Sequence, residues 1–392
     1  MKRPLLLLTP DEFNLRLDKV RDAMQRAGAD AMLVSGNATI YYLTGRVYAG
    51  YIYIPAGDSA PTFFVQRPVD LSGDNVTYIR KPEHIPESLG YVSPENIALE
   101  TDTTPYSKIT RLQALFPSST VINGSAIMRG VRAIKTPREI ELIELSGVKQ
   151  ERVYRRIPHL YQAGMTDLEL QVEIERASRL EGCLGQFRIS GDSMELYMGN
   201  ILVGENADTP TPYDFAMGGE GLDPSLPVGC NGSIIKEGNS IMVDINGNYT
   251  GYMTDMTRTF SLGQLSDTAI KAHRCSIEIC RTLAAEGKPG TEACLLYRHA
   301  EEIARGHGLY EYFMGHRQKA GFVGHGLGIE INELPVIAPR SHDILTEGNV
   351  VALEPKFVIP GTGAVGIENT YIVTETGMKC LTCAPEDIVS LI

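Results

Sequence analysis

No apolar run in this 392-residue chain approaches the roughly 20 residues needed to cross a bilayer. Basic residues are in short supply, 36 Lys and Arg against 48 Asp and Glu, and the net charge of -12 argues against nucleic acid or an anionic membrane as the main partner. Cysteine is sparse and odd in number, seven scattered thiols, which fits reduced side chains in a cytoplasmic protein rather than a disulfide scaffold. The single close pair, Cys380 and Cys383, lacks the second pair or the helix start that zinc or redox chemistry would need. Low-complexity tracts are absent too, and at 43% hydrophobic and 21% charged the chain reads as globular, long enough for two domains. Met1-Lys2-Arg3-Pro4 followed by Leu5 to Leu8 mimics a leader, but the apolar run is too short and meets Thr9-Pro10-Asp11-Glu12, which starts a helix.

What is present falls into two parts. Thr9-Pro10-Asp11-Glu12 supplies a capping hydroxyl, a proline at the first helical position and a glutamate for a capping box, and Phe13, Leu17, Val20 and Met24 then mark one helical face. Short apolar strands are expected at residues 31–35, 51–55, 62–66 and 96–99, giving an α/β unit over residues 1–128. A second capping signature, Thr136-Pro137-Arg138-Glu139, opens a long helix to about Ile157, and the boundary is placed near Arg129, with residues 129–392 as the second domain. That domain carries a faint repeat: Gly164-Met165-Thr166-Asp167 leads a helix towards Gly182, and Gly290-Thr291-Glu292 leads one towards Gly308.

Five residues of the second domain share one chemistry. Asp244 follows Ile241-Met242-Val243, Asp255 opens Asp255-Met256-Thr257-Arg258, His325 sits in Gly324-His325-Gly326-Leu327-Gly328, Glu354 follows Val350-Val351-Ala352-Leu353, and Glu368 stands in Ile367-Glu368-Asn369-Thr370. Carboxylates at the ends of apolar strands need a compensating partner, and divalent cations supply one. Turn residues between Asp244 and Asp255, and Pro360-Gly361-Thr362-Gly363 between Glu354 and Glu368, predict two hairpins that bring each acid pair to one mouth. The glycines around His325 let its backbone approach closely. Such a donor set favours Mn2+, Co2+, Zn2+ or Fe2+.

In the order and flanks of these five motifs the chain resembles the creatinase/prolidase/methionine-aminopeptidase superfamily, the "pita-bread" metallopeptidases, and above all the aminopeptidase P and prolidase branch. The resemblance implies a creatinase-like α/β N-terminal domain, an α+β pita-bread catalytic domain with a pseudo-twofold repeat, and a homodimer. It also implies two divalent ions per chain, manganese foremost: Asp244 on one, Asp255 and Glu368 bridging, and His325 and Glu354 on the other. A bridging hydroxide would attack a peptide or amide carbonyl, with Glu354 carrying the proton.

The chain also departs from this pattern. Where the resemblance leads one to expect a histidine seven residues after His325, the chain has Asn332 followed by Glu333, which keeps a hydrogen-bonding amide but no proton donor. Further histidines are missing near Pro227 and at Gly321, and an arginine is replaced by Gly366. Asn332 and Glu333 are therefore retained as catalytic candidates within a rebuilt recognition shell. The proline-stiffened stretch from Gly204 to Gly232 is its candidate material, with Tyr213, Asp214 and Asp223 as substrate contacts and His316 as a further one. The other histidines, at 84, 159, 273, 299, 307 and 342, lie in polar or loop surroundings and read as exposed or structural. Gly361 to Gly366 matches a dinucleotide-binding spacing but precedes a strand, so it reads as a hairpin loop.

The function expected is a dimetal hydrolase resembling an Xaa-Pro aminopeptidase or dipeptidase, with a peptide or small amide as its partner. A metal-dependent hydrolase or lyase on a small non-peptide amide is the alternative within enzymes. A catalytically silent pita-bread binding module is the alternative outside them, and the retention of all five ligands argues against it.

Overall fold

A computed structural model describes residues 2–191, 198–215 and 218–391. The chain divides into two compact units at Arg132 and Ala133. In the first, the Thr9 hydroxyl accepts from Glu12 N at the head of the Pro10–Arg26 helix, as the capping signature predicts. Leu17, Val20 and Met24 of that helix are buried. Strands Ala31–Val34, Ala49–Pro55, Thr62–Arg67 and Asn96–Leu99 lie where the apolar runs place them. They join Val76–Tyr78 and Thr120–Asn123 in a mixed six-stranded sheet with Ala49–Pro55 and the fully buried Ala31–Val34 strand at its centre.

The second unit repeats one device. Its first half opens with the Pro137–Tyr154 helix, capped by the full Thr136/Glu139 box, and the Asp167–Leu180 helix, capped by Thr166 and Glu169. A sheet follows in which Ser240–Asn248 pairs antiparallel with Met253–Ser261 on one side and Gly199–Val203 on the other. Its second half opens with helices Asp267–Glu286 and Ala293–Gly306 and continues into a sheet ordered 333–337, 324–326, 350–353, 369–374, 377–380. Each helix pair covers one face of its sheet. Ile241, Val243 and Ile245 bury with Leu170 and Ile174 in the first half, and Val351, Leu353 and Val373 with Ile279 and Leu283 in the second. The opposite faces carry the polar residues and are stitched together where Thr257 and Glu368 form a backbone bridge, each N–H donating to the other's carbonyl.

Gly361 lies in the hairpin turn between strands Lys356–Ile359 and Gly363–Gly366, as expected. His273, read as exposed or structural, is structural, although it lies buried in the Asp267–Glu286 helix rather than in a loop, with Nε2 at 2.7 Å from Glu386 O.

Candidate metal centre

Register builds the first half of the site. Asp244 lies opposite Thr257 and Asp255 opposite Asn246, so all four side chains share the face away from the helices. The second half comes from strand ends: Leu353 pairs with Asn369, which places Glu354 and Glu368 side by side where their strands part. His325 pairs with Ala352 on one side and Val336 on the other. Its flanking glycines have no room for a side chain, since a Cβ at Gly324 would lie 2.4 Å from Ala352 O and one at Gly326 2.1 Å from Leu334 O.

The five predicted ligands therefore converge. Atoms of Asp255, His325 and Glu368 lie within 4.8 Å of one another, as do those of Asp244, Glu354 and Glu368. His325 Nδ1 is 3.1 Å from the Gly326 carbonyl, which leaves Nε2 facing the acids, 3.3 Å from Glu354 Oε1 and 4.0 Å from Asp255 Oδ2. Glu354 Oε1 and Glu368 Oε1 are buried with no hydrogen-bond partner. Two orphaned carboxylate oxygens beside an imidazole nitrogen are what a divalent cation would satisfy.

Lys356 was not singled out in the sequence, and it occupies the other half of the cluster. Its side chain is fully buried and its ammonium donates to Asp244 Oδ2 at 2.7 Å, Glu354 Oε2 at 2.9 Å and Glu368 Oε2 at 3.2 Å. The signal for it was one lysine in the otherwise apolar run Phe357-Val358-Ile359, two residues beyond a candidate ligand. Exposure falls from 22% at the Asp244 side chain through 13% at His325 and 12% at Asp255 to 4% at Glu354 and 1% at Glu368, so the site opens on the side of Asp244, Asp255 and His325.

The electrostatics follow from this crowding. Burial and the neighbouring Asp244 push the Asp255 carboxyl up to about 7, and burial with Asp255 raises Glu368 well above the usual range. Burial also raises Glu354, but Lys356 and His325 outweigh it and hold that carboxyl down at about 2. At His325 burial disfavours the charge, yet Glu354 and Asp255 lift it to about 9. Burial likewise opposes the Lys356 charge, and Asp244, Glu354 and Glu368 together hold it protonated.

The remaining candidates are distributed around this centre. The Asn332 amide is engaged on both sides by the Ser190 backbone, accepting from Ser190 N at 2.8 Å and donating to Ser190 O. Glu333 is buried, accepting from Lys135 Nζ at 3.0 Å and from Glu330 N at 3.2 Å. His316 Nδ1 meets Asp208 Oδ2 at 2.8 Å, and both line a narrow cleft with Asp214 and Val358, two residues beyond Lys356. Asp214 accepts from Gly321 N at 3.1 Å, which ties the 204–232 segment to the approach to His325, while Tyr213 stacks on Phe215. Asp223 is exposed and caps Ser225 N at 2.9 Å in its own turn, beside a cavity of about 250 Å3 that also reaches Asn200, the cross-strand partner of Asp244. Gly366 could not carry a longer residue as it stands, because its φ is +142° and a Cβ would lie 2.7 Å from Pro355 O.

Comparison with known proteins places the chain. Residues 141–375 match metallopeptidase family M24, and residues 16–134 match the creatinase/prolidase N-terminal domain. A peptidase of Bacillus subtilis, YqhT, is 26% identical over 96% of this chain and all of its own. The Xaa-Pro dipeptidase of Pyrococcus horikoshii is 24% identical over 97% of this chain and all of its own. The crystal structure of the prolidase from Pyrococcus horikoshii OT3 superposes with a TM-score of 0.77 at 22% identity, covering 96% of this chain and 100% of that one. The likeness to that structure extends to both domains and shows the shared fold.

Proposed function

Because the chain belongs to metallopeptidase family M24, we propose that it is a metal-dependent exopeptidase, with Xaa-Pro dipeptides and tripeptides the first substrate class to test. The grouping of Asp255, His325 and Glu368, with Glu354 Oε1 3.3 Å from His325 Nε2 and two buried glutamate oxygens outside any hydrogen bond, carries this reading. These donors fit a divalent ion, Mn2+ foremost among Mn2+, Co2+, Zn2+ and Fe2+. When bound, such an ion polarises a carbonyl and lowers the pKa of a water. His325 contributes a ligand nitrogen whose direction is set by the Gly326 carbonyl. Glu354, kept ionised by Lys356 and His325, is the group assigned to carry the proton. Asp244, the most exposed of the acids, faces the mouth and favours a substrate with a free amine. The resemblance implied two ions per chain, but the second donor set, Asp244, Glu354 and Glu368, closes around Lys356 instead.

Asp214 and His316 line one cleft and are assigned to substrate positioning; Tyr213 directly precedes Asp214, and Asp223 lines a separate cavity. Asn332 and Glu333 are assigned to support, because their polar atoms are already engaged. A second reading, hydrolysis of a small non-peptide amide, is favoured by that engagement of Asn332, which commits its oxygen and one of its two amide donors to Ser190 where the resemblance leads one to expect a histidine. The setting proposed is the cytoplasm, supported by seven free cysteines, and a homodimer, supported by the resemblance alone. Among the described residues no helix is long and apolar enough to cross a membrane.

The test is to strip the protein with a chelator, reload it with Mn2+ or Co2+, and screen dipeptides, Xaa-Pro tripeptides and small amides. Metal-restored release of the N-terminal residue supports the first reading, and turnover of amides alone supports the second. No metal-restored hydrolysis of either class overturns both.

A further inference from the structure

The ammonium of Lys356 and the imidazole of His325 divide the acid cluster between them. An ammonium has three donors and no acceptor, and all three are spent here, on Asp244 Oδ2, Glu354 Oε2 and Glu368 Oε2. The oxygens the ammonium leaves are Oε1 of the same two glutamates, neither in a hydrogen bond; that of Glu354 lies 3.3 Å from His325 Nε2, and Glu368 groups with Asp255 and His325. Each glutamate therefore turns one oxygen to a protein cation and the other to an open donor set.

We propose that Lys356 is a resident cation standing in one of the cluster's two cation positions, so that each chain holds a single divalent ion, ligated by Asp255, His325, Glu354 and Glu368. This rests on the reading of the cluster as a metal centre. The backbone leaves Lys356 nowhere to withdraw: it pairs with Gly366 across a tight hairpin, its carbonyl accepts from Met314 N at 2.8 Å, and the side chain has no exposed surface. A second ion bound by Asp244, Glu354 and Glu368 would have to take the place of the ammonium or share it with a like charge in a buried site. Charge supports one ion as well: four carboxylates against one ammonium and one dication leave a net charge of -1 in the ligand shell, which the substrate's amine or the solvent at the Asp244 mouth can balance.

The stoichiometry tests it directly. Purified protein is stripped, dialysed to equilibrium against excess Mn2+ and counted by plasma mass spectrometry, alongside Lys356→Gly, which removes the ammonium and its stem. About one ion per chain in the wild type and about two in Lys356→Gly is the expected result. A wild type holding two ions overturns the role of Lys356 while leaving the metal centre intact, and so does a folded Lys356→Gly that still holds one. Absence of bound metal from both proteins overturns the metal-centre reading itself. Should the variant fail to fold, Co2+-loaded wild type decides by electron paramagnetic resonance: an uncoupled mononuclear signal at saturation supports the proposal, and a spin-coupled pair refutes it.

Discussion

Replacing Arg258 by alanine should loosen the seam between the two halves of the catalytic unit and, with it, the grip on the ion. The guanidinium is 3% exposed and serves five acceptors: Pro385 O, Thr257 O, Asn369 Oδ1 and Ala384 O at 2.7 Å, and Glu368 O at 2.8 Å. Three of these keep another donor after truncation. Thr257 O still receives Glu368 N, Glu368 O still receives Thr257 N, and Asn369 Oδ1 still receives the Thr382 hydroxyl. Pro385 O and Ala384 O lose the guanidinium outright. At about 1–3 kcal/mol for each buried polar group left unpaired, the loss is about 2–6 kcal/mol. For a unit of this size, at about 2–4 °C per kcal/mol, the melting temperature should fall by at least about 4 °C. Differential scanning calorimetry of the metal-free protein reads this, and equilibrium dialysis should show weaker Mn2+ binding because Glu368 is the residue the clamp holds. Arg258→Lys, with three donors instead of five, should fall between. A melting temperature for Arg258→Ala within 1 °C of the wild type would refute the reasoning.

Metal affinity should rise with pH in two stages: below about 7 an ion must displace protons from Asp255, His325 and the raised Glu368 carboxyl, and above about 7 the Asp255 proton is already gone, so isothermal titration at pH 5.5, 7 and 8.5 should show a steep gain and then a shallower one. An affinity that is flat over that range would contradict the assignment of these groups as ligands. Glu333→Leu should lower stability by about 3–5 kcal/mol, because it leaves Lys135 buried without its partner, whereas Lys135→Met with Glu333→Leu should regain much of that in chemical denaturation. An undiminished stability with lost turnover would instead make Glu333 catalytic. In steady-state kinetics Asp214→Asn should raise the Michaelis constant for amine-bearing substrates while Asp223→Asn leaves it within about twofold; equal effects would restore the exposed Asp223 turn to the binding surface.

The acid cluster was legible because its determinants are local. Asn246, Gly247, Asn248 and Gly251 announce the turn that brings Asp244 and Asp255 to one face, Pro360 to Gly363 do the same for Glu354 and Glu368, and the glycines around His325 mark a strand with carbonyls pressed against it. The capping boxes at Thr136 and Thr166 and the strands of the N-terminal sheet were legible for the same reason. What stayed hidden is what partners contribute from far along the chain. Lys356 lies two residues from Glu354, yet its meaning depends on Asp244, 112 positions away. Asn332 is committed to Ser190, 142 positions away, and Glu333 to Lys135, 198 away. A polar side chain read alone offers its full hydrogen-bonding capacity, and only the fold shows how much of it is already used.

The most direct test of the centre is anomalous diffraction at the manganese edge from crystals equilibrated with Mn2+. The account predicts a peak ringed by Asp255, His325, Glu354 and Glu368, with the Lys356 ammonium still seated among Asp244, Glu354 and Glu368. Manganese bound elsewhere, or no peak within the cluster at saturating ion, would contradict it.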